Sequence, residues 1–132
     1  MIEAALLKMD DPGEKLRALI EISLQVFFLE TGDFFGIMMD FWAEGIRNKD
    51  KEVMKNLNLN KIYSVYRDLI QSIIEDGIAR GVFRKIDSFI YSSMLIAAMD
   101  GLMLQWILNR DLFDLKQVSQ ALFDGFLNGI RS

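Results

Sequence analysis

The chain predicts an all-α fold: an antiparallel bundle of five main helices behind a short N-terminal segment, the last two helices forming a four-helix interface with a symmetric copy. Three observations lead there. Apolar residues recur at steps of three and four along most of the chain, the period of a helix with one buried face. Capping residues stand ahead of the periodic runs, and glycines or polar breaks follow them. The twenty residues Phe89–Leu108, FIYSSMLIAAMDGLMLQWIL, carry one charge, Asp100, so the helix they form is apolar on almost every face and must be covered on all sides.

That run is long enough to cross a bilayer. Asp100 would then lie near the bilayer centre at a cost of roughly 2.5–3.5 kcal/mol, with Gln105, Ser92 and Ser93 adding to it. Protein is the expected cover, and no membrane partner is expected. At about 100° per residue, Ser93, Ala97 and Gly101 form a flat stripe, while Tyr91, Leu95, Met99, Leu102 and Trp106 form a bulky one opposite. A flat stripe lets another helix approach closely. The bulky stripe fills or lines the interior of its own domain.

Taken in order, MIEAALLKMD gives a short amphipathic segment. Asp11 can then cap a helix with Pro12 at its first position and Glu14 as capping-box partner. Its apolar positions Leu16, Leu19, Ile20, Ile22, Val26, Phe27 and Leu29 run on to Thr31 and Gly32, the terminator. Asp33 caps the next helix, FFGIMMDFWAEGIR, whose Phe34, Ile37, Met38, Phe41 and Trp42 make an aromatic and sulfur face. After the polar break Asn48–Asp50, a helix is expected from about Lys51 to Arg80, clearest from Ile62 through Val65, Tyr66, Leu69, Ile70, Ile73 and Ile74 to Gly77. Within it NLNLN, from Asn56 to Asn60, reads as a kink, because Asn is a poor helix former and helix lies on either side. Gly81 ends this element, and Asp87 caps the apolar helix with Ile86 and Tyr91 as hydrophobic staple. Phe113, Asp114, Gln117 and Val118 supply staple, cap and capping box for a last helix over Leu115–Ile130, where Ala121, Gly125 and Gly129 repeat at steps of four. Two interior glycines cost roughly 1 kcal/mol each relative to alanine, which suits close packing against a neighbour.

With 132 residues the chain holds one domain with a real core. It has no cysteine and no histidine, which removes disulfides, thiolate nucleophiles, histidine bases and any metal site needing an imidazole or thiolate. The acids Glu30, Asp40 and Asp100 share no apolar face with a base or nucleophile, so no catalytic residues, metal or cofactor are expected. Net charge is −4 and the basic residues are scattered, which leaves this chain without the electrostatic footprint of a nucleic-acid binder. No basic and then apolar leader opens the sequence, and the expected compartment is the cytoplasm. Ten Phe and eight Met, in a chain 52% hydrophobic, exceed what a minimal core needs.

The stretch EDGIARGVFR, Glu75 to Arg84, followed by Asp87 and then by Ala98, Met99, Asp100, Gly101, Leu102 and Gln105, resembles the C-terminal regulatory domain of the TetR family of transcriptional regulators. The resemblance covers nearly the whole chain in helix order and length. It implies that residues 1–10 are the tail of the helix linking to a DNA reader, that 11–132 are the effector-binding and dimerisation domain, and that the last two helices build the dimer's bundle. Members carry an N-terminal helix-turn-helix domain of roughly fifty residues, and nothing here offers it. DNA is thus expected as a partner only through an N-terminal domain absent from this chain.

The function expected is that of an effector-sensing and dimerisation domain: a small hydrophobic molecule enters between the helices and changes the spacing of two DNA readers. Pocket candidates are Phe27, Phe34, Met38, Phe41, Trp42, Tyr63, Tyr66, Ile70, Tyr91, Leu95, Met99 and Trp106. Interface candidates are Ser93, Ala97, Gly101, Leu104, Ala121, Gly125 and Gly129, in a homodimer. The competing expectation is a free-standing helical interaction module with no ligand.

Overall fold

The structure, a computed structural model, describes residues 2–27, 39–40, 43–47 and 59–132, without the side chains of residues 2, 26, 27 and 59. Among these there is no strand, only an isolated antiparallel bridge between Phe83 and Arg131. The all-α expectation is met. Helix α1 covers Ile2–Leu7, α2 Pro12–Glu21, α3 Leu59–Ala79, α4 Ser88–Leu108 and α5 Leu115–Ile130. Residues 39–40 and 43–47 are also helical, on the stretch expected to form the second main helix.

Helix α2 starts as its sequence dictates. Asp11 accepts a hydrogen bond from the Glu14 backbone at 2.9 Å, and Pro12 occupies the first turn. The reciprocal half of the capping box is not made, because the Glu14 carboxylate turns forward to Arg17, 3.5 Å away. Leu16, Leu19, Ile20 and Leu24 are wholly buried at the centre of the bundle, against α3 and α5. The helix then widens into π-helical turns over Ile22–Phe27, which the sequence did not announce. Wider turns rotate side chains off the α-helical face. Here they carry Ser23 to Tyr66 of α3 and Gln25 to Ser119 of α5 at 2.6 Å.

Helix α3 includes Leu59 and Asn60 from the NLNLN stretch; Asn56 to Asn58 lie outside the described residues. Its buried face begins at Tyr66, since Ile62 and Val65 are more than half exposed, and continues through Ile70, Ile73, Ile74 and Gly77. The end of α3 explains the EDGIARGVFR motif. Gly81 adopts φ +75°, its N–H donates to Ile78 O at 3.0 Å, and Val82 N donates to Gly77 O at 2.9 Å. This is the Schellman closure, which favours glycine at the left-handed position. It folds Phe83 back beneath Gly77, where the ring is buried to 2% exposure. Arg84 then caps α5: its N–H reaches Ile130 O at 2.7 Å and its Nε reaches Gly129 O at 2.8 Å, satisfying carbonyls that the helix end leaves orphaned.

Helices α3 and α4 pack antiparallel along a polar seam. At steps of four on α3, Tyr63 donates to Asp100 at 2.6 Å, Arg67 to Ser93 at 2.9 Å and Gln71 to Ser88 at 3.2 Å; Ser88 in turn donates to Glu75 at 2.9 Å. These bonds fix the register of two helices whose apolar contacts alone would tolerate sliding. Asp87 caps α4 through Phe89 N and Ile90 N, and Asp114 caps α5 through Lys116 N, while Gln117 stays exposed. Leu95, Ile96, Met99, Met103 and Trp106 bury the inner side of α4. Of the described helices only α4 is long and apolar enough to cross a membrane, and 33% of its most apolar window is buried within the chain.

Candidate functional site

The inner side of α4 carries its one charged group. Asp100 is half-buried, on the side turned to α3, with Ile96 and Met103 one turn away on either side and both buried. Burial pushes its carboxyl above the ordinary 3.8, and the hydrogen bond from Tyr63 pulls the other way. The Tyr63 phenol is raised by burial and then by its bond to Asp100. Tyr66, one turn along, is raised by burial; its bond to Ser23 opposes this and the Asp100 charge adds to it. Among the described residues no Lys or Arg forms an ion pair with Asp100. An acid, two phenols and a serine thus meet where α3, α4 and the π-helical turns converge. No group of three or more metal-ligating side chains occurs among the described residues.

Of the expected pocket residues, Tyr63 and Tyr66 come together here. Ile70, Leu95 and Met99 are sealed in the core at 3% exposure or less. Tyr91 lies at the other end of α4, edge-on to Phe126 at 6.5 Å, with its hydroxyl bonded to Arg84. Trp106 is buried beneath the guanidinium of Arg110, 4.8 Å from the ring centroid. Fifteen residues separate Tyr91 from Trp106, roughly 22 Å along a helix, about twice the width of a usual small-molecule cavity. One site does not hold both. Phe34, Met38, Phe41 and Trp42 lie outside the described residues, as does the side chain of Phe27. The expectations missed Asp100 as a site residue; the signal was its position as the only charge in a twenty-residue apolar run.

Among the described residues nothing covers the outer side of α4. Ala97, Gly101 and Ala121 line an open groove of about 590 Å³ between α4 and α5, together with Ala98, Leu102, Gln105, Val118 and Leu122. A Cβ added at Gly101, Gly125 or Gly129 would meet nothing within 4 Å. Ser93 is not part of this groove, because its hydroxyl faces α3 and accepts from Arg67. Along α4, Ile90, Met94, Ala97, Gly101, Leu104 and Leu108 follow steps of four and three, the spacing of a helix-pairing seam. All except Gly101 are exposed, up to 78% at Leu108. Ile90, Met94 and Leu108 extend the expected stripe and were legible as a heptad.

A bundle with a polar pair inside and an apolar seam outside can be compared with known proteins. The model of a family described as the C-terminal domain of BetI-type transcriptional repressors matches residues 12–130. The chain belongs to this family. The resemblance to TetR-type regulatory domains is therefore borne out, and the BetI-type match starts at Pro12, leaving α1 before it. Two solved structures share the fold at TM-score 0.81. One, from Saccharomonospora viridis, is described as a transcriptional regulator in complex with choline; it is 25% identical, with 99% of this chain covered. The other, described as a transcriptional regulator from Pseudomonas aeruginosa PAO1, is 21% identical over 97% of this chain. The chain spans 66% of the first and 59% of the second. No curated protein sequence matches it.

Proposed function

We propose that this BetI-type domain senses a small organic molecule between its helices and, as a homodimer, passes the change to DNA-reading domains attached ahead of α1. The observation that carries the reading is the two-sidedness of α4. Its inner side holds the Asp100 and Tyr63 contact, and its outer side is an open apolar seam. A ligand that shifts α4 from within changes the surface offered to a partner. Such coupling requires a ligand that prefers one helix packing over the other, since equal affinity shifts nothing. The choline complex of the Saccharomonospora viridis neighbour supports a small-molecule effector in this fold. The expected partners are a second copy through α4 and α5, and DNA through the preceding domain, in the cytoplasm.

The test is the mass of the purified chain by light scattering, with and without Gly125→Leu and Ala97→Leu, beside a thermal-shift screen of small organic compounds. We expect a dimer for the parent chain, monomers for both variants, and compounds that raise the melting temperature of parent and variants alike. A monomeric parent, or variants that stay dimeric, sinks the interface assignment. A dimer that no compound stabilises leaves an interaction module without a ligand.

A further inference from the structure

We propose that the π-helical turns over Ile22–Phe27 are a joint that ties α5 to α3: they stay wide while Ser23 holds Tyr66, and when that bond is lost they tighten and draw Gln25 off Ser119. Its use as a relay rests on the sensing role proposed above, and it supplies a route from that site to the helix lining the outer groove.

Nothing local makes these turns wide. ISLQVF contains no glycine or proline, and π-helical turns rarely replace the narrower α-helical ones. The described contacts that hold them are two side-chain hydrogen bonds. Ser23 is buried, and a buried hydroxyl needs a partner; Tyr66 of α3 supplies it. On the other side Gln25 donates to Ser119 at 2.6 Å, and Ser119, 1% exposed, donates onward to Lys116 O at 3.0 Å. In an α-helix continuing from α2, Gln25 would stand about 140° from Ile20, which lies on the wholly buried face. Wider turns advance less per residue, so they bring Gln25 back toward that face and within reach of α5. The Gln25 bond therefore belongs to the wide form, and the Ser23 bond holds that form from the α3 side.

The two bonds face different parts of the bundle. Tyr66 stands one turn from Tyr63, which holds Asp100 of α4, so a molecule entering there moves or engages Tyr66. Ser119 lies on the buried stripe of α5, with Leu115 and Phe123 one turn to either side, and its neighbours Val118, Ala121 and Leu122 line the outer groove. When Gln25 leaves, this turn of α5 loses its polar anchor, while Ser119 keeps its own bond to Lys116. The turn is then free to shift, and the groove changes with it. The coupling is reciprocal: whatever fixes α5 from outside favours the wide turns and the Tyr66 bond.

The experiment is nuclear magnetic resonance of the purified chain with nothing added, following the side-chain amide protons of Gln25, which Gln25→Leu identifies by their loss. In the parent chain they should exchange with solvent more slowly than those of the exposed Gln117 and Gln120. Tyr66→Phe, which removes one hydroxyl and keeps the ring, should abolish that protection. Ser23→Ala, a change that favours helix, should do the same; residues with a local role only would leave Gln25 unmoved. Protection that survives in both variants overturns the joint. Urea unfolding gives a second reading. Tyr66 and Ser119 share no described partner, so separate roles would give additive shifts of the midpoint. The joint predicts that Tyr66→Phe combined with Ser119→Ala falls well short of the sum of the single shifts, and a shift equal to that sum overturns it. No effector is used, so these failures overturn the joint alone. A screen in which no compound binds overturns the sensing role instead and leaves α3 and α5 tied without an input.

Discussion

Gly77 and Gly125 are both glycines inside helices of one small bundle, and their surroundings are opposite. A Cβ on Gly77 would come within 2.1 Å of the Phe83 ring, whereas one on Gly125 would meet nothing within 4 Å. At the end of α3 the missing side chain has been taken up by the chain itself: Phe83 fills the space, the Schellman turn holds the ring there, and Arg84 carries the turn on to the end of α5. On the outer face of α4 and α5 no described residue fills the space left by Gly101, Gly125 and Gly129. A helical glycine costs about 1 kcal/mol relative to alanine. At Gly77 internal packing offsets that cost. At the outer glycines no packing among the described residues does, and the dimer proposed above would supply it.

The largest effect that could break this comparison is at the closed end. Gly77→Ala should lower the unfolding free energy by about 3 kcal/mol, because the ring it strikes is buried and pinned by the turn. Urea unfolding measures it. In a Phe83→Ala background, already weakened by about 3–5 kcal/mol, the same alanine should cost far less, since the two sites are in contact and their effects cannot add. Equal costs in both backgrounds would mean that Phe83 does not occupy the space above Gly77.

The open face should give the opposite sign. Gly125→Ala should stabilise the dilute, monomeric chain by up to about 1 kcal/mol through helix propensity alone, while weakening self-association in sedimentation experiments. A destabilised monomer would show that the stripe is already packed within the chain.

Much of this was readable beforehand, and the reasons are local. The caps Asp11, Asp87 and Asp114 announce α2, α4 and α5 because a side-chain oxygen before an apolar run has one evident use. Gly81 announces the end of α3 because its backbone conformation is poorly open to other residues. The site was less legible. Tyr63 and Asp100 are 37 positions apart, and nothing local says that α3 and α4 lie in the register that joins them. Aromatic residues at helical spacing look alike whether they seal a core, as Trp106 does, or stand beside a carboxylate, as Tyr66 does. The π-helical turns had no marker either, since ISLQVF fits an α-helix equally well.

A smaller effect sharpens the contrast between core and site. The Asp100 carboxyl is held above 3.8 by burial, so between 3.8 and its folded value the folded chain keeps a proton that the unfolded chain has lost. Stability from this group is therefore full below 3.8 and falls as pH rises through the folded value. Asn cannot titrate, so Asp100→Asn should match the parent chain in acid and be the more stable of the two near neutral pH, by a margin that partial exposure keeps small. A pH series of melting temperatures reads it. If the parent were the more stable at neutral pH, the carboxylate would belong to the fold's own scaffold.

The smallest effect runs the other way. Asp10, in the turn after α1, meets Arg80 through two hydrogen bonds of 3.1 Å, and that guanidinium holds its carboxyl below the ordinary value. The folded chain gives up this proton before the unfolded chain does, so the pair's contribution is present above 3.8 and fades as pH falls through the lowered value. Asp10 is 91% exposed, and solvent and salt screen such a pair strongly. Asp10→Asn should therefore shift the melting temperature barely measurably at low salt and not at all at high salt, with the small difference vanishing in acid. The place to look is local: faster amide exchange confined to α1 and its following turn, with α3 and α4 unchanged. That pattern would make Arg80 a tether for the segment ahead of the domain; exchange that quickened throughout α3 would make it part of the closed end built around Gly77.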